Sequence, residues 1–246
     1  MQSPESLRSE PNYPSKLKAA PSAARYPKSR NRLAQPAHRF NIDSWLSCAD
    51  ANLLLRKRAR YEARRGNYAA AVEVFNQLIA REPTNPVYFV NRGLMYSNLR
   101  CYDEALISYS WAIELNPELG RAYSNRANLH AVRQNWRDAI ADYDQAIDLN
   151  PLNIRARLNQ AITFRDIGDY EEALVCLDIA LFFRPRSATL YSERGRTYHL
   201  QGFWNQAIAD YTTAHRLAED RNLKDISSPE RVIRRVLGWI DSLTSS

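Results

Sequence analysis

Four prolines, Pro83, Pro117, Pro151 and Pro185, stand 34 residues apart each time. An interval of that length restricts a chain to stacked copies of one supersecondary unit. Each copy is too short to bury its own apolar face and needs a neighbour to cover it. In this register five blocks align: 52–85, 86–119, 120–153, 154–187 and 188–221. One alanine recurs in all of them (Ala71, Ala105, Ala139, Ala173, Ala207) and another in four (Ala112, Ala146, Ala180, Ala214). The eighth residue is always small (Ala59, Gly93, Ala127, Ala161, Gly195), and an aromatic keeps one place throughout (Tyr68, Tyr102, Trp136, Tyr170, Trp204).

Within a block these residues follow each other at three or four positions, the period of a helix face, and the pattern predicts two antiparallel helices. Small residues let the backbones approach, and aromatics fill the spaces between them. Gly66, Gly168 and Gly202 fall in the turn between the helices, where a positive φ is useful. The recurrent proline cannot continue the preceding helix, so it separates one block from the next.

These residues resemble the tetratricopeptide repeat family over 170 of the 246 residues. The resemblance implies an all-α, right-handed superhelical solenoid of helical hairpins, about five repeats within residues 42–221. It further implies an adaptor or assembly factor of bacterial or cyanobacterial type. Three departures are visible: Leu78 replaces the second alanine of the first block, Leu177 an aromatic of the fourth, and Glu219 the last proline.

The ends differ from the repeats. Residues 1–42 contain eight Lys or Arg against two Glu, a balance of +6 that leaves only +1 for the remainder. With six prolines and no apolar period, residues 1–41 are expected to be a disordered basic tail. A lengthened opening helix is expected from about Asp43. Behind the repeats, residues 222–246 predict a capping helix. Ser227 and Glu230 suit a capping box, Pro229 a first turn, and Val232, Ile233, Val236, Leu237, Ile240 and Leu243 an apolar stripe.

In the family that these blocks resemble, the first helix of each repeat lines the concave side, which assigns particular residues to a groove. The sixth residues of the blocks then form a ladder of Lys57, Asn91, Asn125, Asn159 and Glu193. An asparagine amide donates and accepts together, so such a ladder can hold an extended peptide by its backbone; an inherited habit of the repeat is the competing reading. Arg56, Lys57 and Arg60 on the first repeat, with Arg121 and Arg155 further on, favour a carboxylate, hence an acidic client segment or a free C-terminus. In a carboxylate-clamp co-chaperone, Arg56, Arg60, Asn91, Arg121 and Asn125 would match clamp positions, of which Arg56, Asn91 and Arg121 fit in residue type.

Little in the sequence suggests chemistry. His38, His130, His199 and His215 form no metal-binding spacing, and no phosphate loop or nucleophile motif is present. Cys48, Cys101 and Cys176 are isolated and read as buried or partly buried thiols. The expectation is a non-enzymatic scaffold with no cofactor and a protein client, in the cytoplasm, or in an organelle stroma if the tail is a transit peptide. The alternative is attachment to nucleic acid or an anionic membrane surface through the tail. Eight dispersed basic residues would bind either weakly, which makes nucleic acid the less favoured partner. No stretch is apolar enough to span a membrane. Deleting residues 1–40 separates a groove adaptor from a tail-driven binder.

Overall fold

The computed structural model describes residues 48–220 and 225–244. The expected tail and residues 43–47 lie outside the described residues. Among those described, the chain is eleven helices and no strand: α1 (Cys48–Arg64), α2 (Tyr68–Arg81), α3 (Pro86–Asn98), α4 (Tyr102–Leu115), α5 (Gly120–Val132), α6 (Trp136–Leu149), α7 (Ile154–Asp166), α8 (Tyr170–Phe183), α9 (Ala188–Leu200), α10 (Trp204–Glu219) and α11 (Pro229–Thr244). The first ten pair as five hairpins stacked in chain order, a helical solenoid.

The repeated residues explain the pairing. Ala71, Ala105, Ala112, Ala139, Ala146, Ala173, Ala180, Ala207 and Ala214 are all fully buried. A Cβ on Gly93 would lie 2.6 Å from the ring of Tyr109, so the glycine is what lets that tyrosine sit against α3. In the fourth repeat Ala161 faces the core with Leu177, a smaller side chain that fills the place the sequence pattern gives to an aromatic. The turn inside each hairpin requires a left-handed residue. Gly66, Gly168 and Gly202 supply it at φ of 77°, 87° and 82°, and Arg100 and Gln134 adopt it at 60°.

A polar staple that the sequence reading did not single out joins the repeats. Arg126 on α5 donates to both carboxylate oxygens of Asp142 on α6, each at 2.7 Å, and also to Ser110 on the preceding α4 at 3.1 Å. Arg194 does the same between Asp210 and Asp178 (2.7–2.9 Å), and Arg92 between Ser108 and Asn76. Gln160 takes the place in the fourth repeat, donating to Asp144 at 2.6 Å and accepting from the Cys176 thiol at 3.5 Å. Each staple thus ties a first helix to its own second helix and to the second helix before it, fixing the stacking register.

The last hairpin is covered by α11, whose Val232 and Val236 are fully buried with Ala188, Ala207, Tyr211 and Leu217. Two details differ from expectation. The carbonyl that opens α11 belongs to Ser228, which accepts from the N–H groups of Arg231 and Val232, so the cap lies one residue beyond Ser227. Leu237 is 47% exposed and faces away from the stripe, because α11 touches α9 and α10 along a narrow seam. The side chain of Leu243 lies outside the described residues.

Candidate functional site

Successive first helices touch one another, α3 with α5, α5 with α7 and α7 with α9, whereas the second helices are held apart by them. The first helices therefore form the inner side of the stack, and two clefts open along it.

The first cleft, about 540 Å³, lies between α1 and α3. Its floor is apolar (Ala59, Ala63, Phe75, Leu94, Met95) and its rim carries Arg56, Arg60, Asn91 and Arg121. At one side Tyr88 donates to Glu82 at 2.9 Å, and Asn85 donates to the same carboxylate at 3.1 Å. Hydrogen bonds from Asn85, then Tyr88, hold the Glu82 carboxyl below its ordinary range, so it stays charged and anchors the turn beside the cleft.

The second cleft, about 570 Å³, shares Leu94 and Arg121 with the first and continues along α5 and α7. Five asparagines line it, Asn125, Asn128, Asn150, Asn153 and Asn159, with Ser124 and Arg155. Several of these amides are already engaged. Asn159 donates to Asn128 at 2.7 Å, Tyr143 donates to the same Asn128 oxygen at 2.7 Å, and Asn153 donates to Ser124 at 3.2 Å. Arg121 donates to Asn91 across the repeat junction at 3.4 Å. The Nδ2 of Asn125 is buried with no hydrogen-bond partner.

The expected site residues thus separate. Arg56, Arg60, Asn91 and Arg121 share the first cleft; Arg121, Asn125, Arg155 and Asn159 share the second. Lys57 is exposed and lines neither cleft. Glu193, the fifth rung of the ladder, is buried: Arg165 on α7 bonds it at 2.8 Å, and Arg235 on α11 closes over it from the other side. Trp239 of α11 stacks on Tyr211 and lies under Arg196, so the groove ends where the capping helix begins. Leu94 and Asn128 stand at the ninth place of their blocks, one of the places the family resemblance assigns to the groove, but neither they nor Asn153 were singled out by residue. The asparagines that close the first and third blocks, Asn85 and Asn153, were a signal available in the sequence.

Charge is divided between the two layers of helices. The first helices α1, α3, α5, α7 and α9 carry 13 Lys or Arg against 4 Asp or Glu. The second helices α2, α4, α6, α8 and α10 carry 3 against 13. A near-zero total conceals an inner layer of helices with a balance of +9 and an outer layer with one of −10.

Among the described residues no cluster of His, Cys, Asp or Glu is arranged to hold a metal, and no helix is long and apolar enough to cross a membrane. Cys101 and Cys176 are free thiols, and burial pushes the Cys176 thiol up to about 11.

A family model described as tetratricopeptide repeat matches residues 18–86, 56–119, 90–154 and 124–176. The small glutamine-rich tetratricopeptide repeat-containing protein 2 of Mycosarcoma maydis is 36% identical over 58 residues, which is 24% of this chain and 16% of that one. Human serine/threonine-protein phosphatase 5 is 36% identical over 61 residues, 25% of this chain and 12% of the phosphatase. The Hsp70-Hsp90 organizing protein 2 of Arabidopsis thaliana is 39% identical over 56 residues, 23% of this chain and 10% of the relative. The match therefore spans less than a fifth of each of these relatives. Among solved structures, MamA 41-end from Desulfovibrio magneticus RS-1 superposes with a TM-score of 0.64 at 16% identity, covering 72% of this chain and all of that one. A second MamA structure gives 0.61 at 16% identity over 73% of this chain and all of its own. At such identities the likeness is one of fold.

Proposed function

The chain belongs to the tetratricopeptide repeat family, and from that premise we propose that its inner groove holds an acidic, extended segment of a client protein, without chemistry on it. The carrying observation is that a cationic, apolar-floored cleft runs into an amide-lined one through a shared Arg121. Guanidinium groups of Arg56, Arg60 and Arg121 suit carboxylates, and the apolar floor beneath them suits a neighbouring aliphatic side chain. The asparagines of the second cleft suit the backbone of the same segment, whatever its side chains. The +9 balance of the inner layer supports an anionic ligand over a basic one.

The relatives' names agree with a scaffold of this kind: one is called an organizing protein for two partners, and in the phosphatase the likeness is confined to 12% of the chain. A location in the cytoplasm and a role in assembling a complex are part of the same reading.

The test is capture from the source cells with wild-type protein beside two variants, Arg121→Glu and the triple variant Asn91→Ala, Asn125→Ala, Asn159→Ala. Thermal melting comes first, because Asn159 and Asn91 also join neighbouring repeats. Loss of the same acidic partner from both folded variants supports the proposal. Partners that persist through Arg121→Glu would sink it.

A further inference from the structure

At every inner junction the third and tenth residues of a first helix are covered by the second helix of the preceding repeat. Tyr88, Ala122, Ala156 and Leu190 at the third place, and Met95, Leu129, Thr163 and Thr197 at the tenth, are at most 5% exposed. The seventh residue between them makes the polar staple to that same preceding helix. The first repeat carries the same stripe on α1, Leu54, Arg58 and Tyr61, and among the described residues no helix of a preceding repeat lies over it. Leu54 is 46% and Tyr61 55% exposed, and no hydrogen bond or ion pair engages Arg58 among the described residues.

We propose that this bare stacking face docks an acidic amphipathic α-helix of a partner protein, seated as the second helix of a preceding repeat would be. The inner junctions give the partner's chemistry. The side chains that meet the seventh residue across a junction are Asn76, Ser110, Asp144 and Asp178. Opposite Arg58 a carboxylate is the strongest choice, because α1 itself holds five basic residues against two acidic ones. Below it, Arg65 donates to the Tyr61 hydroxyl at 2.9 Å and stacks on its ring, which preforms the lower edge of the seat.

Two other occupants fit less well. The segment 48–51 is helical, whereas 82–85, 116–119, 150–153 and 184–187 are the breaks between repeats. A preceding repeat of the same chain in register would need a break there. A second copy pairing through the same face would set Arg58 and Arg65 against their own equivalents.

The probe is the peptide of residues 135–151, capped at both ends, which contains the α6 helix and its Asp144. It is titrated into the isotope-labelled full chain and followed by backbone amide shifts. The expected result is perturbation at Leu54, Arg58 and Tyr61, about fivefold weaker binding to Arg58→Glu, and recovery with a peptide carrying Asp144→Lys. Arg58 is solvent-exposed, so the variant keeps its fold, which melting verifies. Shifts confined to the groove, or indifference to Arg58→Glu, overturn the proposal. So do an oligomer that Arg58→Glu dissociates, which assigns the face to a second copy, and binding seen only after deletion of the residues before Cys48, which assigns it to the chain itself.

Discussion

Arg126 shows how much a single residue does in this solenoid. Its fork spans Asp142, only 9% exposed, and Ser110 on the preceding repeat, so removing the carboxylate strands a guanidinium in a half-buried junction. Asp142→Ala is expected to cost about 2 kcal/mol in urea unfolding, the range for breaking a charged hydrogen bond in a partly buried site. Arg58→Ala, at the same place in the first repeat, where no described helix precedes α1, should stay within about 0.5 kcal/mol of wild type. The recurrence of Arg92, Arg126 and Arg194 was legible in the sequence, but their partners were not. Those lie 16 residues to either side, a distance that acquires meaning only once the hairpin geometry is known. His130 makes a second residue-level prediction. Burial lowers its pKa from 6.5, outweighing Asp142 and Asp138, which raise it, while Arg126 and Arg133 lower it further. The unfolded chain therefore takes up the proton first as pH falls, so acid favours unfolding below about 6.5. The melting temperature should drop between pH 7 and 5, and His130→Phe should remove part of that slope. His199, lowered by burial and by Arg196, accounts for a further part.

Elements in the stack are coupled to their neighbours and to little else, so the capping helix can be loosened without disturbing the groove. It is held by two devices. Asp225 accepts from the Thr189 N–H at 2.6 Å and from the hydroxyls of Ser187 and Thr189, which ties the approach to α11 onto the start of α9. Glu193 gathers Arg165 and Arg235. Glu193→Ala leaves two guanidinium groups without their shared anion, at a cost of about 2 kcal/mol once the partial exposure of Arg235 is allowed for. Hydrogen exchange should then quicken across residues 229–240 and stay at wild-type rates in α3 and α5. Uniform quickening along the chain would mean that the repeats unfold as one unit and that the nearest-neighbour picture is wrong. The existence and amphipathic face of α11 were legible from Val232, Ile233, Val236 and Ile240. The cap at Ser228 and the outward Leu237 depend on the angle at which α11 meets α9, and tertiary packing alone sets that angle. Leu177 is buried beside Ala161, where Phe75 and Tyr143 stand beside Ala59 and Ala127, and nothing in the structure explains the change of residue.

Across the whole molecule, the 34-residue period made the hairpins and their order readable, while the balance of +1 for the residues behind the tail does not show how charge is shared among the helices. Among the ten helices of the hairpins, the balance is +9 for the inner layer and −10 for the outer layer. The groove residues were only partly legible for a related reason. Asn91, Asn125 and Asn159 stood out by period, yet whether each amide is open or engaged depends on Asn128 and Arg121 from adjacent helices. The segregation has a measurable consequence. Interactions between exposed charges reach about 10 Å at 0.1 M salt and about 3 Å at 1 M. An acidic decapeptide drawn to the inner face should therefore bind about tenfold more weakly at 0.5 M than at 0.05 M salt. Arg121→Glu should lower the affinity and flatten that dependence, because it removes a positive charge from both clefts at once. Asp148→Lys, a substitution of the same size on the outer layer, should leave the affinity nearly unchanged, since the ligand meets the inner face alone. Effects of equal size and opposite direction from the two substitutions would show that the ligand senses only net charge, and the layered distribution would then have no role in choosing it.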